Sequence, residues 1–316
     1  MKAMTIKDFG GVEKLTIQDL PTPSPSENEV QIEVRYTAVN PVDWKIREGY
    51  LKSAIPHEFP LILGWDAAGI VTAVGKKVKN FKLGDEVFAY CRKPTIKWGT
   101  YAEFVCIDAD KVAMKPQNIN FAQAAAIPLV GLTAWQALFD AAKLKKGETI
   151  LIHAGAGGVG GMAIQFAKHA GAKVIATASP ENHDYVKKLG ADHVIDYHGG
   201  FVDKLKNIAP EGVDIVFDTV GGQALRDSYQ VVKSHGRIVG IVEKPDSTQV
   251  AHNHIQCSYV FVEPNGKQLN QIGNLISHDK IKVPNIEEMD LSEAAKAQEK
   301  LRRGHTKGKI VLKIKN

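Results

Sequence analysis

The chain has 316 residues, 44% hydrophobic and 24% charged, with a formal net charge of +5. The length sets an expectation of about two domains, and the ordinary composition excludes collagenous, low-complexity and disulfide-scaffold classes. Basic residues are spread thinly, with local runs at 76–82 and 302–309 and no interleaved aromatics, so a solvated basic face is expected, not a nucleic-acid platform. Cys91, Cys106 and Cys257 lie far apart and form no C-x-x-C pair, which fits a reducing compartment. The N-terminus lacks the apolar core of a signal peptide. The most apolar stretch, 121–139, is interrupted by Gln123, Pro128 and Gln136, so no membrane span is expected. A cytoplasmic protein follows as the expectation.

Residues 1–110 read as β-rich. Pro21, Pro23 and Pro25 and the glycines at 64, 69, 75, 84 and 99 punctuate short strands. Glu29–Val39 is the clearest, apolar at Val30, Ile32 and Val34; Ala67–Val74, Glu86–Tyr90 and Tyr101–Ile107 follow, with a short helical turn at Pro41–Gly49. This predicts a small, partly open barrel. Phe121–Leu144 is helix-forming, with breaks expected at Pro128 and Gly131. Strands are then expected at 149–153, 173–177, 193–195, 213–217 and 237–242, alternating with helices at 158–170, 181–188, 201–208 and 222–232. Such alternation predicts a parallel sheet with helices on both faces. Helices at 266–278 and 291–302 lead to a last strand, Gly308–Ile314, which alternates like an edge of the first domain's sheet. The first domain is therefore expected to be discontinuous, 1–122 with 266–316, around a second at 123–265.

The sharpest motif is Gly155-x-Gly157-x-x-Gly160, between an apolar strand end and a helix with Val159, Met162, Ala163, Phe166 and Ala167 on one face. A second strand, Lys173–Ala178, comes where a βαβ unit needs it. In this setting Gly155 is expected to permit the tight turn, Gly157 the approach of a pyrophosphate, and Gly160 close packing of helix on sheet. The helix N-terminus offers free N–H groups to the phosphates.

Further motifs accompany it: Asn40-Pro-Val-Asp43, Gly64-Trp-Asp-Ala-Ala-Gly69, Gly84-Asp-Glu-Val87, Gly99-Thr-Tyr-Ala-Glu103, Gly131-Leu-Thr-Ala134, Leu189-Gly-Ala191, Asp218-Thr-Val-Gly221 and Gly308-Lys-Ile-Val311. In this order and over nearly the full length, the chain resembles the medium-chain dehydrogenase/reductase superfamily, and most its zinc-free quinone oxidoreductase branch of zeta-crystallin-like proteins and enone or alkenal reductases. The resemblance implies an α/β fold: a Rossmann doubly wound parallel sheet plus a β-rich GroES-like, partly open barrel. It implies NADPH as cofactor, a quinone or α,β-unsaturated carbonyl as substrate, and a homodimer, here through the β-prone run Ser258–Val262. For the cofactor it points to Pro41, Gly131, Thr133, Gly155, Ala156, Gly157, Gly158, Val159, Ala178, Ser179, Tyr197, Val220, Gly221, Ile241 and Lys309. The alternatives are a zinc-free dehydrogenase of another carbonyl and a non-catalytic NADPH-binding sensor or structural protein.

Catalytic zinc needs thiolate or imidazole ligands. The zinc branch's cysteine position resembles Asn40, and its Gly-His-Glu resembles Gly64-Trp65-Asp66. No zinc is therefore expected, and reduction of a conjugated acceptor does not need one. His252-x-His254 with Cys257 lacks the spacing of a closed metal site and reads as a loop. The second strand ends Thr177-Ala178-Ser179-Pro180, without the carboxylate that grips an NAD ribose. Ser179 is expected to donate to a 2′-phosphate, or else to cap the helix at Glu181. Asn182-His183 stands where NADPH-using relatives carry a lysine. Lys45 is the catalytic candidate, an ammonium for the substrate carbonyl, with Asn40 as a second hydrogen-bonding group; a solvent-facing lysine is the alternative. Phe88 replaces a tyrosine of some relatives, with Tyr90 and Tyr50 as possible substitutes. Trp65 and Trp44 suit either an apolar floor for flat substrates or core packing.

Overall fold

A computed structural model describes residues 1–304 and 306–315, with the side chains of all of these but Val250, His252 and Asn253. The grouping of His252 with His254 and Cys257 thus lies outside the described residues. The chain divides into two units, one of 1–132, 263–279 and 283–316, the other of 133–262 with 280–282.

The first unit opens with strands β1 (Lys2–Ile6), β2 (Thr16–Asp19) and β3 (Glu29–Val39), then helix α1 (Pro41–Arg47). Strands β4 (Leu61–Ile62), β5 (Asp66–Val74), β6 (Glu86–Tyr90), β7 (Phe104–Asp108) and β8 (Val112–Met114) follow. Helices α2 (Phe121–Ala125) and α3 (Pro128–Trp135) come next, and α3 continues into a π-helical stretch over Gln136–Ala141. The expected break at Gly131 does not occur, since α3 runs through it. A Cβ there would meet Ile127 and Ile272 side chains at 3.3 Å, so the glycine serves close packing.

The second unit alternates strand and helix: β9 (Thr149–Ile152), α4 (Gly158–His169), β10 (Lys173–Ala178), α5 (His183–Lys188), β11 (His193–Asp196) and α6 (Val202–Ile208). Then come β12 (Val213–Asp218), α7 (Gly222–Ser228), β13 (Val232–Gly240) and β14 (Gln256–Tyr259). Every pairing is parallel, in the order β11-β10-β9-β12-β13-β14. The order reverses beside β9, which makes the turn after β9 the switch point of a Rossmann sheet. Leu151, Ile175, Ile195, Val213, Val216 and Ile238 fill its core from five adjacent strands, each such side chain contributing about 1.5–3 kcal/mol on burial. Helix α4 is buried beyond the expected stripe: Ile164 and Gln165 are also covered. The Gln165 amide donates to Lys282 O at 3.0 Å and accepts from Lys282 N–H at 2.7 Å, tying 280–282 to this unit.

The chain returns to the first unit with α8 (Gly266–Ser277), β15 (Ile286–Asp290), α9 (Ala294–Arg302) and β16 (Lys309–Lys313). The main sheet there runs β15-β16-β3-β5-β6-β8, with β7 also pairing β3, and a small sheet runs β2-β1-β4. The last strand is therefore not an edge: β16 lies between β3 and β15, and its residues 309–312 are all buried. The edge is β15, whose run Ile-Glu-Glu-Met-Asp carries too little apolar pattern to read as a strand. Helix α2 packs with Ala38 and Val311 through Ala122 and Ala126, which draws the boundary past 122 to 132. Val30, Ile32, Val34, Val71, Val87, Val105 and Ile107 form the core of this unit. Among the described residues no helix is long and apolar enough to cross a membrane.

Candidate active site

In the first unit, the residues after β3 build a buried polar cluster. Pro41 at the first turn fits the helix start, and Asp43 Oδ2 accepts from the Asn40 N–H at 2.8 Å and from the Tyr101 hydroxyl at 2.9 Å. The Asn40 side chain does not cap α1. Its Nδ2 donates to Asp66 Oδ2 at 2.8 Å, and its Oδ1 accepts from Lys309 Nζ at 2.5 Å. Lys309 also donates to Val39 O at 2.9 Å and stands 3.9 Å from Asp66 Oδ2. Asp66 Oδ1 takes the Leu129 N–H at 2.7 Å, in the first turn of α3. One buried carboxylate thus ties together α1, α3 and β16. Burial raises the carboxyl of Asp66 and pushes that of Asp43 up to about 7, and lowers the Lys309 ammonium. Two carboxyls and one ammonium are tolerable without solvent because Asp43 takes up a proton so readily.

Lys45 lies on α1 beyond this cluster. It is half-buried, and burial lowers its ammonium. Its Nζ lies 5.7 Å from the Trp44 ring centroid and has no hydrogen bond or ion pair among the described residues. Tyr50 meets Trp44 edge-on at 5.8 Å and is exposed. Trp65 and Tyr90 are buried and pack edge-on at 6.0 Å, and Phe88 is fully buried. Core packing is therefore the role of Trp65. Pro41 is exposed at the head of α1, and Gly131 is buried in α3.

In the second unit, the candidate residues gather at the C-terminal ends of the strands. After β9, the left-handed residue of the turn is Ala154 (φ 50°), not Gly155. Gly155 serves close packing, since a Cβ there would lie 2.9 Å from Ile164 Cδ1 and 3.1 Å from Ala176 Cβ. At Gly160 a Cβ would lie 2.3 Å from Ala154 O, so α4 rests directly on the turn. A Cβ on Gly157 would meet only Ala154 O, at an ordinary 3.4 Å. The fold does not demand that glycine, and the space over it suits an approaching ligand. Gly157 is the N-cap of α4 and makes no side-chain cap, leaving the N–H groups of Gly158 and Val159 without intrahelical acceptors. Ala156, Gly157, Gly158 and Val159 are all half-buried. The residues present thus fit a dinucleotide pyrophosphate.

A neutral histidine supports this turn. Ser228 Oγ donates to Ala224 O at 2.7 Å, so His153 Nε2 donates to Ser228 Oγ at 2.9 Å, and Nδ1 accepts from Thr177 Oγ1 at 3.1 Å. Thr177 Oγ1 in turn accepts the Ala154 N–H at 3.1 Å. Burial pulls the imidazole down to about 4.

Ser179 follows β10 directly and makes no side-chain cap on the following 3-10 turn, Pro180–Asn182. Its Oγ donates to Glu181 Oε1 at 2.5 Å and accepts from Asn182 Nδ2 at 3.0 Å. Ala178 is buried; Tyr197 is exposed and stacks on His198 at 4.4 Å. Gly221 (φ 77°) and Val220 turn their N–H groups onto Asp218 at 2.9 Å and 3.1 Å, and Ile241 N–H donates to Asp218 O at 3.2 Å. Thr133 is buried on α3. Sequence reasoning missed the linking roles of Asp66 and His153, which no local spacing announces, and the reach of Glu181 to Ser179.

Comparison with known proteins bears on this arrangement. Residues 26–117 match the alcohol dehydrogenase GroES-like domain, and 189–312 match a family described as zinc-binding dehydrogenase. The NADPH-dependent alkenal/one oxidoreductase of Arabidopsis thaliana chloroplasts is 36% identical over 99% of this chain and 79% of its own length. The quinone oxidoreductase structure from Coxiella burnetii is 38% identical, with a TM-score of 0.89 over 100% of this chain and 99% of that one. The chain belongs to the medium-chain dehydrogenase/reductase superfamily. An Escherichia coli quinone oxidoreductase of the superfamily, solved in complex with NADPH, superimposes with a TM-score of 0.88 at 31% identity, covering 99% of this chain and 100% of that one. As a superfamily member the protein is an oxidoreductase.

Proposed function

We propose that the protein is a zinc-independent, NADPH-dependent reductase of quinones or α,β-unsaturated carbonyl compounds. The observation that carries this reading is Lys45, a half-buried ammonium that touches the Trp44 ring but has no hydrogen bond or ion pair among the described residues. The names of the Arabidopsis, Coxiella and Escherichia relatives support the same reading. Bound NADPH would supply the hydride. The chain would hold it through the Gly158 and Val159 N–H groups and the dipole of α4. Lys45 Nζ donates a hydrogen bond to the acceptor's carbonyl oxygen, where negative charge collects, and carries a proton to give it. Its lowered pKa makes that donation easier. Asn40 acts by holding the start of α1, since its amide is committed to Asp66 and Lys309.

Zinc does not fit the donors present. Asn40 is bound within the cluster, Trp65 is core, and neither offers a thiolate or imidazole. Among the described residues no group of three or more His, Cys, Asp or Glu could hold a metal. We also propose a cytoplasmic location, supported by three free cysteines.

The test is a panel of quinones and enones assayed with NADPH and NADH on enzyme of measured zinc content. Steady NADPH oxidation by an enone or quinone, without stoichiometric zinc and unaffected by chelator, is expected. No turnover across the panel, or activity tracking zinc, would overturn the reading.

A further inference from the structure

The position that reads the adenosine ribose in a Rossmann unit is the end of the second strand, here Ser179, the residue after β10. Ser179 is buried, and its hydroxyl has no proton left over. Oγ donates to Glu181 Oε1 at 2.5 Å while accepting from Asn182 Nδ2 at 3.0 Å. The 3-10 turn over Pro180–Asn182 folds the chain back so that a carboxylate two residues on reaches the strand end. An anion therefore already sits on the hydroxyl that a 2′-phosphate would use. No lysine or arginine lies between Lys173 and Lys187. Lys204, near the end of β11, gives its Nζ to Asp196 O and His198 O, each at 2.8 Å.

We propose that Glu181 sets the cofactor preference of this site, competing with the 2′-phosphate for Ser179 Oγ and repelling its charge. Ser179 favours NADPH, and Glu181 opposes that preference while leaving the ribose 2′-hydroxyl of NADH unhindered. The inference rests on the dinucleotide reading above and names the residue that tunes it.

The test is equilibrium binding of NADPH and NADH, followed by nucleotide fluorescence at low salt, for the wild type, Glu181→Gln and Glu181→Gln/Ser179→Ala. Glu181 is exposed, so the neutral isostere should leave the fold intact, which circular dichroism checks. Glu181→Gln should tighten NADPH by about fivefold or more, the scale of one unit charge a few ångströms away in water, with NADH changed less than about twofold. The gain should shrink when Ser179 is also removed. Unchanged NADPH affinity in Glu181→Gln, or equal gains for both nucleotides, would overturn the role of Glu181 while leaving the reductase reading standing. A gain undiminished without Ser179 would overturn the competition for its hydroxyl. A wild type that binds neither nucleotide would defeat the reductase reading itself, and this inference with it.

Discussion

Lys45 and Asp43 share a helix of two turns, yet their environments ask opposite things of them. Lys45 has lost part of its hydration and gained a ring contact with Trp44 but no hydrogen bond or ion pair among the described residues, a condition that favours giving up a proton or a hydrogen bond. Lys45→Met should keep NADPH affinity and lower enone kcat/KM, by up to about 10²–10³-fold if the ammonium is the main oxyanion donor. Quinones, being better electrophiles, should lose less. Turnover within about twofold of wild type would reduce Lys45 to a surface residue. Asp43 is buried with one oxygen, Oδ1, lacking a hydrogen-bond partner. Burial pushes its carboxyl from 3.8 up to about 7. In that window the folded chain holds a proton that the unfolded chain has released. Stability should therefore be greatest below about pH 4, fall by up to about 1.4 kcal/mol per pH unit toward pH 7, and then level off, as far as this group is concerned. Asp43→Asn should flatten that slope in urea unfolding between about pH 4 and 7. An unchanged slope would place the titration elsewhere.

At the scale of one element, the turn from β9 into α4 separates what folding requires from what ligand binding requires. Gly160→Ala forces a Cβ to within 2.3 Å of Ala154 O and cannot be accommodated without moving α4 off the turn. It should cost about 1–3 kcal/mol, seen as a lower Tm. Gly157→Ala meets only an ordinary contact, so its Tm should match the wild type. Its NADPH affinity should nevertheless fall, because the methyl group occupies the space a pyrophosphate needs. Gly157→Ala with undiminished NADPH affinity would remove the phosphate from this turn. His153 belongs to the same element: its neutral ring joins Ser228 to Thr177, which holds the Ala154 amide. The strain of Ala154 in a left-handed conformation is thus met by a buried hydrogen-bond chain.

At the scale of the whole molecule, the second unit's sheet ends on β14. Tyr259 and Phe261 at its end are 43% and 39% exposed. A β-prone edge with apolar side chains is an aggregation hazard unless something covers it. We propose that a second copy of the chain does so, making a homodimer. Sedimentation should show a dimer at micromolar concentration, and Phe261→Glu should shift it toward monomer. A wild type that sediments as a monomer at every concentration would refute this.

What the sequence by itself determined is mostly local. The βαβ turn, the alternation of strands and helices and the apolar face of β3 follow from periodicity and from glycine placement, which act over a few residues. Even there, a glycine's reason could change: Gly155 serves packing, and the left-handed φ belongs to Ala154. Tertiary structure alone decided the rest. β16 became an interior strand because a weakly patterned strand, β15, covers its far edge. Lys309, Asn40 and Asp66 came together from positions more than 200 residues apart at the extremes, and Leu129 joined them through a backbone N–H. Ser179 spends its proton on Glu181 because a 3-10 turn, invisible in composition, folds the chain back by two residues. Hydrogen bonds between distant or turned-back groups depend on where the backbone finally lies. Hydrophobic period registers only which face is apolar, and it cannot report those partners.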